Sequence, residues 1–362
     1  MGINLDRDLS AVAISAEVKA PQYYQVLILV DSGIGNALEA LYALEYCLRM
    51  GVKAAIFLNT ISASFQNYLA RCYSADVILK NLNEVSAEYL LHSFTFEDRV
   101  HVNFSKYFYI NPDKSSSYYL SETEQYLSIV QSIYPGGEVL DVLSNLVADY
   151  STKVKFLKVE SKVVLYPGSA WFSPVKRWPY YFELEKILPA DKVVFVGGQD
   201  DLNVEASNIY PFFIAAIVPQ KLLNNYYFWR LCRLLGVLKS HAHNTRLKLK
   251  DNAFVDVFDW AELVAIFRSC RGFVGNDGGL SHLAACAGAR GLVLFGPTSV
   301  AKNKPISKNI HSINKALACS PCQFSVGHIP MQKKMINCPY GVKCLNDISA
   351  VEVLGHVKNV FA

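Results

Sequence analysis

The sequence predicts an α/β protein built from two parallel, doubly wound sheets that face one another. Three observations predict it. The chain has 362 residues, more than one hydrophobic core usually serves. Short, continuous apolar runs suited to strands buried on both faces recur along it, beginning with Val26–Val30 and Ala54–Leu58. The strand–loop–helix order that opens the chain starts again near residue 160, so two βα halves stand in tandem.

Residues 1–22 read as an irregular N-terminal arm. The strand Val26–Val30 runs into the loop Asp31-Ser32-Gly33-Ile34-Gly35-Asn36. The helix that follows carries Leu38, Leu41, Leu44 and Leu48 at spacings of three and four, with Gly51 as its C-terminal cap. With the strand Ala54–Leu58 this makes a βαβ unit, whose crossover is right-handed by rule. From about 60 to 150 the chain is rich in Tyr, Phe and Ser, and shorter elements are expected there without firm bounds. The seam falls near Tyr150–Lys158. The pattern then restarts with the strand KVVLYPG, a helix around Tyr180–Leu188 and the strand KVVFVGG. Residues 206–250 break the pattern and read as an insertion, a lid or an oligomer contact. After them come AFVDVF (strand), AELVAIFRSC (helix), GFVGND (strand), GLSHLAACAGA (helix) and GLVLFGPT (strand). The expected division is 1–155, 156–345 with a cysteine-rich tail, and a C-terminal helix over 346–362 that crosses back to brace the first unit.

Composition narrows the function. The chain is 52% hydrophobic and 18% charged, which excludes disorder. A formal charge of +4 without a dense basic tract suits an anionic small ligand or an anionic membrane face, and argues against a nucleic-acid groove. The first 22 residues lack the long apolar core of a secretory signal, and VLILV and YPFFIAAIVP are too short to span a bilayer. The Met-Gly start has no Ser or Thr where a myristoylation signal wants one. A cytoplasmic protein is expected, with peripheral contact at the inner face of the membrane left open. The 21 Tyr and 20 Phe fit either core packing or a surface that stacks on sugars. Of nine cysteines, Cys47, Cys72, Cys232, Cys270 and Cys286 sit singly in apolar segments and read as reduced core thiols.

The strongest chemical signal is Gly275-Asn276-Asp277-Gly278-Gly279-Leu280-Ser281-His282. A strand ends there and a helix begins. Glycines allow close backbone approach, and the free N–H groups of a helix start favour phosphate. Asp277 is placed to accept from sugar hydroxyls, and His282 sits one turn into the helix. The bland alternative makes Asp277 a helix cap and His282 a packed side chain.

GNDGGLSHLAACAGARGLVLFGPT resembles the signature of the family 9 glycosyltransferases, the heptosyltransferase family. Three further segments agree in order: VLILVDSGIGNALEALYAL at the opening strand and glycine loop, VVLYPGSAWFSPVKRWPYYFELEKIL at the second-domain start, and the tail CSPC…CPYGVKCLNDISAVEVL. The resemblance implies a GT-B fold of two Rossmann-like domains around a cleft. It also implies a nucleotide-diphosphate sugar donor (ADP-heptose in the best-known members), inversion at the anomeric carbon and chemistry without a catalytic metal. The implied acceptor is a glycan, a lipid-linked glycan or a protein. Carried across, Lys176 contacts donor phosphate, Gly278, Gly279 and His282 hold the diphosphate, and Asp277 holds the sugar. The resemblance also leads us to expect a ribose-binding carboxylate after KVVFVGG, with Asp200 and Glu205 as the choices. Two departures stand out. Gly278 replaces the family's Ser or Thr, and Asn36 stands where the family shows the Asp thought to act as general base. An amide cannot take a proton at neutral pH, so Asp31, at the same strand tip, becomes the nearest candidate.

The tail pairs Cys319 and Cys322 two residues apart and Cys338 and Cys344 five apart, with fifteen residues between the pairs. Four thiolates so placed suit a closed tetrahedral site for zinc or iron that folds the tail, reduced unliganded thiols being the alternative. Two other functions share the architecture: a nucleotide-sugar epimerase, and a non-catalytic donor-binding relative that has lost its base. A homo-oligomer is compatible with all three.

Overall fold

The computed structural model describes residues 22–30, 33–59, 61–83, 85–93, 102–110, 120–169, 176–198, 251–321 and 342–361. They form two all-parallel sheets. The first contains β1 (Gln22–Val30), β2 (Ala54–Leu58), β3 (Ile78–Leu79), β4 (Val85–Ser93) and β5 (Asn103–Ile110) in the order β3-β2-β1-β4-β5. The second contains β6 (Val163–Tyr166), β7 (Val193–Gly197), β8 (Ala253–Val255), β9 (Gly272–Asn276), β10 (Gly291–Phe295) and β11 (Ile310–Asn314) in the order β11-β10-β9-β6-β7-β8. Strand order therefore reverses between β1 and β4 in one sheet and between β6 and β9 in the other. Such reversals open a crevice beyond the carboxyl ends of the strands, where ligands bind.

The helix α1 (Ile34–Arg49) is apolar nearly all round, and a helix of that kind is stable only when covered on every side. Residues 37–47 are all buried, Glu39 and Glu45 included. One flank of α1 lies on β1 and β2, and another on α3 (Glu122–Ile133). A third meets α7 (Gly279–Ala287), which belongs to the second sheet. One apolar cluster accordingly runs from Val26 and Leu41 through to Leu283 and Cys286. Elsewhere local chemistry sets the helix starts. Ser121 with Glu124 caps α3, and Asp259 with Glu262 caps α6 (Trp260–Ser269), each as a reciprocal capping box. In α7 the left-handed Gly288 (φ 91°) ends the helix.

The far face of the second sheet packs Trp178, α5 (Tyr181–Ile187), α9 (Lys343–Asn346) and α10 (Ala350–Val360) into a second cluster. The buried residues of α10, among them Val353 and Val357, join Val163, Trp178 and Leu184 there. The C-terminal helix thus packs on α5 and β10 of the second unit, where the sequence analysis expects it against the first. Trp178 reinforces this by donating from Nε1 to the Ile348 carbonyl at 2.7 Å. No described helix is long and apolar enough to cross a membrane.

Candidate active site

The site lies at the reversal between β6 and β9. Asn276, the last residue of β9, is fully buried and joins the two strand ends. Its Oδ1 accepts from the Trp178 backbone N–H at 2.9 Å and the Tyr181 hydroxyl at 3.1 Å. Its Nδ2 donates to the carbonyls of Pro167 at 2.8 Å and Gly168 at 3.0 Å. All four of its hydrogen-bonding positions are used, so the loop that carries Lys176 is clamped to the tip of β9. Sequence reasoning named this residue within the motif but gave it no task. A buried amide amid glycines was the available signal.

Asp277 follows and is 4% exposed. The Lys176 ammonium pairs with its Oδ2 at 2.9 Å, and the Asn303 amide donates to the same oxygen at 3.2 Å. Burial alone would push the Asp277 carboxyl up. Lys176, the Thr298 hydroxyl and the neighbouring His282 outweigh it and hold the group below the usual carboxylate range. His282 is also buried, which pulls its pKa down to about 4 despite the nearby carboxylate, so its imidazole is neutral at physiological pH. Lys176 is expected on donor phosphate and Asp277 on the sugar, and here they bind each other. Asp277 does not cap the helix: Gly278 occupies the N-cap position, with no side-chain cap. The amides of Gly279 and Leu280 make no hydrogen bond among the described residues, and they open the helix that follows Asp277, the partner of the Lys176 ammonium; a helix start next to a cation suits phosphate.

Where the family pattern has a hydroxyl residue, Gly278 leaves room against Tyr166. A Cβ at 278 would stand 3.6 Å from the Tyr166 hydroxyl, so a phenol occupies the neighbourhood of the missing side chain. The first sheet closes the other side. A Cβ on Gly35 would lie 3.2 Å from His282 Cδ2, and one on Gly279 would lie 3.2 Å from Ile34 Cβ. The N-termini of α1 and α7 therefore meet tip to tip. Asn36, half-buried, folds its side chain back over Gly33. Asp31, Asp200 and Glu205 lie outside the described residues. Behind Asn36 sits a group that the sequence did not mark: Glu39, buried on α1 close to Glu122, Asp277 and Lys302.

Residues 256–329 match the model of glycosyltransferase family 9 (heptosyltransferase). Over nearly the whole chain the architecture matches that of E. coli ADP-heptose LPS heptosyltransferase II, with a TM-score of 0.53, 15% identity and coverage of 93% of this chain and 98% of that one. A glycosyl transferase family 9 protein from Veillonella parvula gives 0.58 and 15%, over 94% and 98%. The iron-containing dodecameric glycosyltransferase TibC of enterotoxigenic E. coli gives 0.57 and 13%, over 94% and 76%. The chain resembles the family 9 glycosyltransferases and has their GT-B fold. No curated protein sequence matches it.

In the tail of this GT-B chain, Cys319 and Cys344 are described, while Cys322 and Cys338 lie outside the described residues. The neighbours of the two visible cysteines converge on one spot. Ser320 donates to the Gly296 carbonyl at 2.6 Å, and a Cβ on Gly296 would lie 2.5 Å from Leu345 Cγ. Two segments 25 residues apart are thus held against the end of β10. Among the described residues no group of three or more His, Cys, Asp or Glu side chains is arranged around a metal. Of the single cysteines, burial pushes the core thiols Cys47 and Cys286, and the partly buried Cys270 packed against the same cluster, up to about 12, which keeps them protonated. Cys232 lies outside the described residues, as does the whole of 206–250. Phe104 and Tyr107 are exposed on β5.

Proposed function

We propose that this chain is an inverting glycosyltransferase that moves a sugar from a nucleotide-diphosphate donor to a glycan, lipid-linked or protein acceptor. The carrying observation is the corner at the start of α7, where Lys176, two amides unbonded among the described residues and a neutral His282 meet at the tip of β9. In a sugar transfer the barrier is lowered most by stabilising charge on the departing diphosphate, and a lysine with aligned N–H groups can do this without a metal. In this reading Lys176 exchanges Asp277 for donor phosphate, and Asp277 is released to the sugar hydroxyls. Gly278, Gly279 and His282 line the diphosphate. Asp200 or Glu205 holds the ribose.

ADP-heptose is the favoured donor, since TibC, of the same fold, was solved with ADP-D-β-D-heptose. A thermal-shift screen of ADP-, GDP-, UDP- and dTDP-sugars tests the reading. Tight binding raises the melting temperature by mass action, and an ADP-sugar is expected to give the largest rise. No rise with any of them would remove the donor assignment. Asn36 favours a second reading, a donor-binding relative without turnover. It would appear as binding of ADP-heptose with no ADP released against any acceptor.

We further infer that Cys319, Cys322, Cys338 and Cys344 bind one structural metal. Iron is preferred to zinc on the likeness to iron-containing TibC. Four thiolates would supply a closed site that fixes the tail and takes no part in the transfer. Elemental analysis of the purified protein decides identity and stoichiometry. The dodecameric state of TibC makes self-association of this chain part of the proposal, and we place the protein in the cytoplasm, at or near the membrane face.

A further inference from the structure

Inverting transfer needs a group to take the acceptor's proton on the side of the sugar away from the leaving diphosphate. The second domain supplies the diphosphate corner, so the proton acceptor belongs to the first domain, and the amide of Asn36 cannot serve. The helix α1 carries two acids, both buried. Glu45 is occupied: it accepts from the Tyr73 hydroxyl, the Ser144 backbone and hydroxyl, and the Asn145 backbone, at 2.6 to 3.2 Å. Glu39 is not. It is 6% exposed and makes no hydrogen bond with any described residue.

A carboxyl so largely buried and without hydrogen bonds costs stability. A fold that keeps one has placed it where an absent molecule will meet it, or tolerates it for no gain. Position separates the two. Glu39 is one helical turn beyond Gly35, the residue packed beneath His282. It lies close enough to Asp277, the predicted sugar ligand, to feel its charge.

We propose that Glu39 is the general base of the transfer, a reading that rests on the sugar-transfer function above. The acceptor hydroxyl oxygen attacks the anomeric carbon, and its proton passes to the Glu39 carboxylate. The bond from anomeric carbon to diphosphate oxygen breaks, its electron pair leaving with the nucleoside diphosphate. The surroundings make Glu39 a stronger base than an ordinary carboxylate. Burial, then Glu122 of α3 and Asp277 at the tip of β9, push its pKa well above the usual value. Lys302, in α8 (Val300–Asn303), offsets part of the rise. His282 faces the same seam as a neutral group.

The test compares wild type with Glu39→Gln and Glu39→Asp, using ADP-heptose as the probe. Donor binding is measured by calorimetry, and ADP release by a coupled assay against a glycan acceptor across a pH series. Glu39→Gln is expected to bind ADP-heptose as wild type does and to release ADP at least ~100-fold more slowly. Its rate should lose the rise with pH that wild type shows as Glu39 ionises, and Glu39→Asp should recover part of the rate. A Glu39→Gln protein with wild-type turnover and an unchanged pH profile overturns the proposal and leaves sugar transfer standing. So does loss of turnover in Asp31→Asn with Glu39→Gln active. A wild-type protein that neither binds nor consumes ADP-heptose overturns the donor reading beneath it instead.

Discussion

At the scale of single residues, the site is an arrangement of charges taken out of water. Asp277 stays ionised because Lys176 touches it, and His282 stays neutral because its burial, with the nearby Lys176 cation, outweighs the pull of the Asp277 carboxylate. The histidine gives a signed prediction. Its folded pKa of about 4 lies below the ordinary 6.5, so unfolding takes up a proton between those values. Its contribution to stability is therefore whole above pH 6.5 and is lost as the pH falls towards 4, by on the order of 3 kcal/mol. Chemical denaturation across that window should show wild type losing stability relative to His282→Gln as the pH falls. A constant difference would mean that His282 is not buried as described. That Lys176, Asp277 and His282 gather at one strand tip was readable because the residues sit in short motifs at the ends of strands. Glu39 was not readable, since a glutamate inside a helical pattern looks like a solvated face. The packing of α3 and of the second unit on α1 buries it. Tyr166 was passed over for a related reason: its hydroxyl matters only beside Gly278, 112 residues away in sequence.

At the scale of elements, close approaches decide more than propensities. Gly296 lets Leu345 of α9 rest directly on the end of β10, bringing the Cys344 segment to the Cys319 segment. Gly296→Ala would force a Cβ to within 2.5 Å of Leu345, so α9 must move. Overpacking of this kind costs about 1–3 kcal/mol. We expect a lower melting temperature together with reduced metal content by elemental analysis. Full metal occupancy in that variant would separate the α9 docking from the thiolate site. The strands and helices of the second unit were legible because they alternate cleanly, and β1, α1 and β2 for the same reason. The stretch holding β4 and β5 was not, because its Tyr- and Ser-rich composition, as on the exposed β5, hides the apolar alternation that marks a strand. The pattern of α10 foretold a buried face but not its partner. Periodicity reports that a face is covered and is silent about what covers it.

For the whole molecule, the decisive contacts cross the seam. Lys302 of the second unit is 5% exposed and lies 3.9 Å from Glu122 of the first, with Glu39 beside both. Lys302→Met would leave two buried acids facing each other without that cation. Breaking a buried pair in this way costs about 3–5 kcal/mol. Lys302 lowers the pKa of Glu39, so its loss raises that already elevated value further. An acid with a raised folded pKa destabilises the fold as it ionises. The deficit of Lys302→Met should therefore deepen as the pH rises from acid to neutral and shrink again in acid. Denaturant midpoints at several pH values check this, and a pH-independent deficit would assign Lys302 a packing role alone.

Because α1 is sheathed by both halves, the two sheets do not make two separable proteins. A fragment ending near residue 150 would carry into water the flank of α1 that Leu283 and Cys286 now shelter, and would be expected to clump when produced alone. Co-producing the missing half should restore its solubility.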